Sequence, residues 1–142
     1  MALGKTATQS SDYNAAAGAS LAVDGNTSGI FNDNSVAHTA GGDTNPQWNL
    51  DLGSVKEIKN IRIWNRTDDC CRDRLSNFYV FVSDLPFTDS DPTITATEAT
   101  VWNEFIINHP IEKVVVSPFR TCLLYTSPSP RDLSTSRMPS SA

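Results

Sequence analysis

Alternation of apolar and polar residues is clearest at Gln47-Trp48-Asn49-Leu50-Asp51-Leu52-Gly53, where period two predicts a half-buried strand with Trp48, Leu50 and Leu52 turned to a core. A short β-branched run with Ile58, Ile61 and Ile63 predicts another strand. Asn77-Phe78-Tyr79-Val80-Phe81-Val82-Ser83, bounded by Leu85-Pro86, is apolar on both faces and predicts a central strand. Val114-Val115-Val116 forms a further run, stopped by Ser117-Pro118. The stretch from Thr6 to Ser20 is small and polar. The Asp24-Gly25-Asn26-Thr27-Ser28-Gly29 cluster after it is dense in turn formers, so this whole region reads as structured loop. No window of ten or more residues holds a 3.6-residue period, and no internal repeat occurs. The pattern predicts an all-β sandwich or jelly roll, in which strands supply rigidity and end loops carry function.

At 142 residues the chain is sized for one domain. Lys plus Arg is 11 against 16 for Asp plus Glu, and the resulting charge of −5 argues against nucleic acid as a partner. No run of about 18 apolar residues is present, so no membrane span is expected. The first residues, Met-Ala-Leu-Gly-Lys-Thr, lack the apolar run of a signal peptide, which places any export signal upstream. The end of the chain, from Cys122 to Ala142, resembles translated sequencing-adapter DNA: two constant blocks flank the Leu133-Ser134-Thr135 triplet. The expected division is therefore an incomplete domain over residues 1–121, cut before its last strands, and a non-native, disordered tail over 122–142. With that tail set aside, the cysteines are a single adjacent pair, Cys70 and Cys71.

The densest polar segment is Asn65-Arg66-Thr67-Asp68-Asp69-Cys70-Cys71-Arg72-Asp73-Arg74-Leu75-Ser76, between two predicted strands and hence a loop at one end of the sandwich. Adjacent cysteines either remain free thiols or close an eight-membered disulfide ring with a flat apolar face suited to a sugar. Arg66 and Arg74 flank the pair, with Asp68, Asp69 and Asp73 available to hold them; such fixed donor forks suit vicinal hydroxyls, although a solvated salt-bridge loop has the same composition. His38, in Val36-Ala37-His38-Thr39, taken alone reads more readily as a surface histidine than as a ligand.

Together these residues resemble the F-type lectins, the fucolectin branch of the discoidin-like F5/8 type C domains. The resemblance runs over most of Leu3 to Phe87. It rests on Ala22-Val23-Asp24-Gly25-Asn26, His38-Thr39, Asn45-Pro46-Gln47-Trp48, Asp51-Leu52-Gly53 and Asn65-Arg66-Thr67 through Phe78. The family motif is a histidine, an Arg-x-Asp after about 26 residues, a cysteine pair and a second basic residue. Here 27 residues separate His38 from Arg66, and an extra Asp precedes Cys70.

The resemblance implies a discoidin-like jelly roll that binds terminal α-L-fucose on fucosylated glycans. His38, Arg66 and Arg74 would hydrogen-bond the sugar, Asp69 and Asp73 would support the arginines, a Cys70–Cys71 disulfide would pack against the ring, and Phe31 would meet the 6-methyl. That methyl contact is worth about 1 kcal/mol. It also implies a structural calcium held by the Leu21 carbonyl, Asp24, Asn26 and Ser35, completed in the family by a glutamate beyond Thr121. An exported, oxidised setting and further domains of a longer chain complete the expectation.

The alternatives are a galactose-type module that targets a glycoside hydrolase, and an adhesion domain without sugar binding. No acid/base pair or nucleophile motif is visible, so the chain is not expected to be an enzyme. The sequons Asn26-Thr27-Ser28 and Asn65-Arg66-Thr67 are assigned no role.

Overall fold

The computed structural model describes residues 2–108, 112–118 and 120–122, the last three by their backbone. Eight strands are present among them: β1 (Thr6–Gln9), β2 (Trp48–Asp51), β3 (Lys56–Ile58), β4 (Ile61–Trp64), β5 (Phe78–Val82), β6 (Trp102–Ile106), β7 (Lys113–Val116) and β8 (Arg120–Cys122). They form four antiparallel pairs, β1 with β2, β3 with β8, β4 with β7 and β5 with β6. Among the described residues one short helix, α1 (Pro92–Thr95), starts at Asp91, whose Oδ1 accepts the Thr93 amide at 2.8 Å, with proline in its first turn. Three 3-10 turns, Ala19–Val23, Phe31–Asp33 and Arg72–Arg74, shape the loops. No helix of the described residues is long and apolar enough to cross a membrane.

The expected period-two pattern governs the core. Trp48, Leu50 and Leu52 are buried, as are Ile58, Ile61 and Ile63. The isoleucine run is broken at Lys59-Asn60 into β3 and β4, and the two parts pair with different strands. In β5, Phe78, Val80 and Val82 join the main core, and Phe81 on the other face is also fully buried, with its ring 5.8 Å from Phe87. Among the described residues the hydrogen-bonded neighbour of β5 is β6.

Two strands depart from the sequence expectation. Thr6–Gln9, read as part of a polar loop, is strand β1: Ala7 opposes Leu50 and Gln9 opposes Trp48. Its side chains alternate between exposed and half-buried, so pairing with a strongly apolar neighbour, rather than its own hydrophobicity, makes it a strand. Trp102–Ile106 is strand β6, set in register by β5, with Phe105 opposite Tyr79. The backbone of Cys122, the first residue of the presumed tail, lies in β8 opposite Lys56. The rest of that segment, residues 123–142, lies outside the described residues.

Candidate functional site

The loop Asn65–Leu75 leaves the end of β4 and is organised from within by Asn65, whose side chain is 1% exposed. Its Nδ2 donates to the Arg72 carbonyl at 3.0 Å, and its Oδ1 accepts the Arg66 amide at 2.8 Å. A buried amide that satisfies two backbone groups fixes both ends of the loop at once. It also removes Asn65 from consideration as a glycan acceptor, whereas Asn26 is exposed. Arg72 closes the loop from the other side, its guanidinium donating to the carbonyls of Thr67 and Asp68. Cys70 and Cys71 are joined by a disulfide at the loop tip, with Cα atoms 3.7 Å apart. Cys71 has φ +68°, an uncommon conformation for a residue with a side chain, and its carbonyl accepts the Arg74 amide at 3.2 Å. Of the three arginines of this loop, Arg72 is thus spent on backbone carbonyls.

Arg66 forms an ion pair through Nε with Asp68 Oδ1, and the two side chains are 11% and 22% exposed. The other carboxylate oxygen of Asp68 accepts the Phe31 amide at 3.1 Å. The Arg66 hydrogen bond, and after it the Phe31 and Cys70 amides, hold the Asp68 carboxyl below its ordinary pKa against an opposing effect of burial. The carboxylate that grips Arg66 is therefore Asp68, two residues on, as an Arg-x-Asp motif requires. The expected supports Asp69 and Asp73 are both exposed. The sequence offers Asp68 as one of three acids able to hold the arginines, and its Arg-x-Asp spacing from Arg66 is the signal that singles it out.

The Asn65–Leu75 loop is latched to the neighbouring turn. Thr67 N donates to Gly29 O at 2.8 Å, and Thr67 Oγ1 donates to Ser28 O at 2.5 Å. Through this latch Arg66 comes to lie over Phe31, its Cζ 4.8 Å from the ring centroid. The Phe31 ring stands edge-on to His38 at 5.6 Å, and Tyr13 joins both, 4.5 Å from His38 and 5.8 Å from Phe31. Residues far apart in sequence, Tyr13, Phe31, His38 and Arg66, thus form one contiguous aromatic and cationic cluster, with Tyr13 at the surface and His38 buried beneath it. Tyr13, 54% exposed, was not singled out from the sequence, because a lone tyrosine in a polar stretch carries no motif.

His38 is only 4% exposed, which excludes the alternative of a surface histidine. Its Nδ1 donates to the Thr39 carbonyl at 2.5 Å, its own amide donates to Ala17 O at 2.9 Å, and its carbonyl accepts from Tyr13 N at 2.8 Å. Gln9, at the end of β1, donates through Nε2 to the carbonyls of both Ala17 and His38. The chain beyond His38 is fixed by Asp43, which accepts the Ser10 and Ser11 hydroxyls, each at 2.5 Å. Burial alone would raise the Asp43 pKa, but these hydroxyls and the Asn45 amide outweigh it and lower it.

Behind this surface is a cavity of about 180 Å³, lined in part by Leu21, Asn26 and Ser35 from the expected calcium set and by Arg62 and Arg66. Asp24 is exposed and does not line it; its Oδ1 accepts the Asn26 amide at 2.7 Å. Ser35 Oγ donates to Ile30 O at 2.8 Å and lies 2.9 Å from Ser28 Oγ. Among the described residues no three His, Cys, Asp or Glu side chains gather into a metal-holding group. The candidate donors are all oxygens, a type that fits a hard cation, but with a single carboxylate.

The paired strands, the long loops and the cluster at one end define a discoidin-like β-jelly roll of the galactose-binding type. The chain belongs to the F5/8 type C family described as NedA-like, galactose-binding domain, which matches residues 21–116. It is 38% identical over 86 residues to Fucolectin-4 of Anguilla japonica, an alignment covering 58% of this chain and 46% of the relative. The chain therefore spans about half the length of that relative. Its fold is similar to a fucose binding module of Streptococcus pneumoniae, SpX-3, with a TM-score of 0.74 at 27% identity, covering 94% of this chain and 88% of the other. It is also similar to a histidine variant of the lectin binding domain of lectinolysin complexed with Lewis b, with a TM-score of 0.72 at 26% identity, covering 94% and 86%.

Proposed function

We propose that this domain is a lectin that recognises terminal α-L-fucose on fucosylated glycans, using His38, Arg66 and Arg74 beside the Cys70–Cys71 disulfide. The observation that carries the reading is the Arg66 guanidinium, gripped by Asp68 and held over Phe31, with the His38 ring against the same phenylalanine. A donor fork fixed before the ligand arrives loses little entropy on binding. An adjoining aromatic edge suits a sugar that carries a methyl group among its hydroxyls. The similar proteins named as fucolectin and as fucose binding module support this reading.

In this reading Arg66 and Arg74 donate to sugar oxygens, Phe31 covers the 6-methyl and the disulfide packs against the ring. Selection comes mainly from polar groups, since a buried donor left unpaired by the wrong epimer costs roughly 1 to 3 kcal/mol. Calcium would be held by the Leu21 carbonyl, Asn26, Ser35 and the nearby Asp24, bracing the turn to which Thr67 is latched. The domain binds its glycan without chemical change. Its disulfide suits an extracellular setting.

A second reading, galactose binding, is favoured by the description of the matching family. The two are separated by calorimetric titration of L-fucose and of D-galactose into the full chain, with and without calcium, and into Arg74→Ala. Fucose binding at μM to mM strength, weakened at least about tenfold in the variant, is expected. Galactose binding alone, or fucose binding indifferent to Arg74, would overturn the proposal.

A further inference from the structure

We propose that the outer face of the β1–β2 pair carries a second carbohydrate subsite, one that takes a neutral pyranose and is separate from the His38–Arg66 surface. A groove of about 520 Å³ runs there between Thr8, Gln47 and Asn49 of the strand region and Phe87, Asp89 and Ser90 of the loop after β5. Its size lies within the range of about 300–1,000 Å³ typical of small-molecule sites. No lysine or arginine lines it, and one carboxylate does, so an anion is disfavoured. Amides, hydroxyls and one aromatic ring are left, the set that matches a ligand with alternating hydroxyls and a C–H face.

Gln47 and Asp89 are held in place yet not used up. Gln47 and Asn45 both donate to the Ser90 carbonyl, at 3.1 and 2.9 Å, which ties the loop across the strands. Among the described residues the Gln47 side chain makes no other hydrogen bond, leaving its Oε1 and second N–H to a ligand. Asp89 accepts the Asp91 amide through Oδ1, which leaves Oδ2. Phe87 supplies the apolar floor and is backed by the fully buried Phe81.

The groove and the fucose surface lie on opposite faces of one strand. Gln9 reaches inward to the carbonyls of Ala17 and His38, whereas its neighbour Thr8 is exposed and lines the groove. Occupancy of one site therefore does not require the other.

The test is a titration of lactose, a neutral disaccharide, into the isotopically labelled full chain, followed by the amide and aromatic resonances. Saturable shifts at the Gln47 and Asn49 side-chain amides and at the Phe87 ring are expected, and they should persist in Arg74→Ala. Thr8→Trp, at an exposed strand position, fills the groove and should weaken lactose at least about tenfold while leaving L-fucose affinity and Tm unchanged. Gln47→Ala with Phe87→Leu repeats the test without added bulk. Lactose shifts that vanish in Arg74→Ala and survive both groove variants would place the sugar on the loops. Either that result or the absence of any saturable shift would overturn the subsite.

Discussion

Gly29 is the residue on which the candidate site turns, and Gly29→Ala is the substitution that tests it. The glycine has φ +70°, and a Cβ built there would lie 2.7 Å from the Asn65 carbonyl oxygen, 2.9 Å from Thr67 Cγ2 and 3.0 Å from Thr67 N. Two of these neighbours are backbone and cannot swing away. The left-handed conformation alone costs a side-chain-bearing residue about 1–2 kcal/mol. Relief of the clash would separate the two loops and give up the Thr67 N to Gly29 O and Thr67 Oγ1 to Ser28 O hydrogen bonds, each worth about 0.5–1.5 kcal/mol. The expected loss is roughly 2–5 kcal/mol, read as a fall in Tm of about 10 °C. Because the same latch sets Arg66 over Phe31, fucose affinity should fall at least about tenfold. Gly41, with open space around its Cβ position, is the control, and Gly41→Ala should unfold like the parent. A Gly29→Ala protein that melts within about 0.5 kcal/mol of the parent and binds fucose unchanged would refute the argument, since it would mean the two loops do not meet as described.

Asp68→Asn removes the charge that grips Arg66 and should weaken fucose binding by about tenfold, measured by calorimetry, and lower Tm by a few degrees at neutral pH, where the carboxylate contributes its full stability. Because the folded-state pKa of Asp68 is lowered from 3.8, its contribution to stability is present above that value and lost as pH falls through the lowered one. The stability of the parent should therefore drop more steeply than that of Asp68→Asn below about pH 4, and parallel acid limbs would contradict this. Asn65→Ala strips two buried backbone groups of their partner and should cost about 2–4 kcal/mol in denaturant titration. A loss below 1 kcal/mol there would show that the loop is not organised through this amide.

The parts of the fold that could be read in the sequence are those in which each residue reports its own environment. Trp48, Leu50 and Leu52 alternate because one face of β2 is core, and Phe78 to Val82 are apolar throughout because both faces of β5 are covered. Strand β1 was invisible because Thr6-Ala7-Thr8-Gln9 owes its conformation to Trp48–Asp51, some forty residues away. Strand β6 was missed for the same reason. At the candidate site, clustering of Arg, Asp and Cys drew attention to the 65–75 loop, but local composition does not say which of several like residues is turned which way. Arg72 is consumed by the carbonyls of Thr67 and Asp68, and Asp68 rather than Asp69 meets Arg66. Both outcomes follow from how the 65–75 backbone turns around Asn65. Tyr13 joins His38 and Phe31 only through the tertiary fold, and no spacing along the chain announces it.

Three of the four strand pairs are nested one inside another: β5–β6 lies within β4–β7, which lies within β3–β8. Such an arrangement can close like a zip from its innermost teeth. Joining Ile61 to Val116 directly would tie off a long stretch of disordered chain. Once Phe78–Val82 has met Trp102–Ile106, the same contact has only the short remaining arms to bring together. The order of assembly is thereby written into the topology, with β5–β6 as the nucleus and β3–β8 as the closing step. Pulsed amide exchange during refolding should protect Val80 and Phe81 before Ile58, and the reverse order would show that the zip runs the other way.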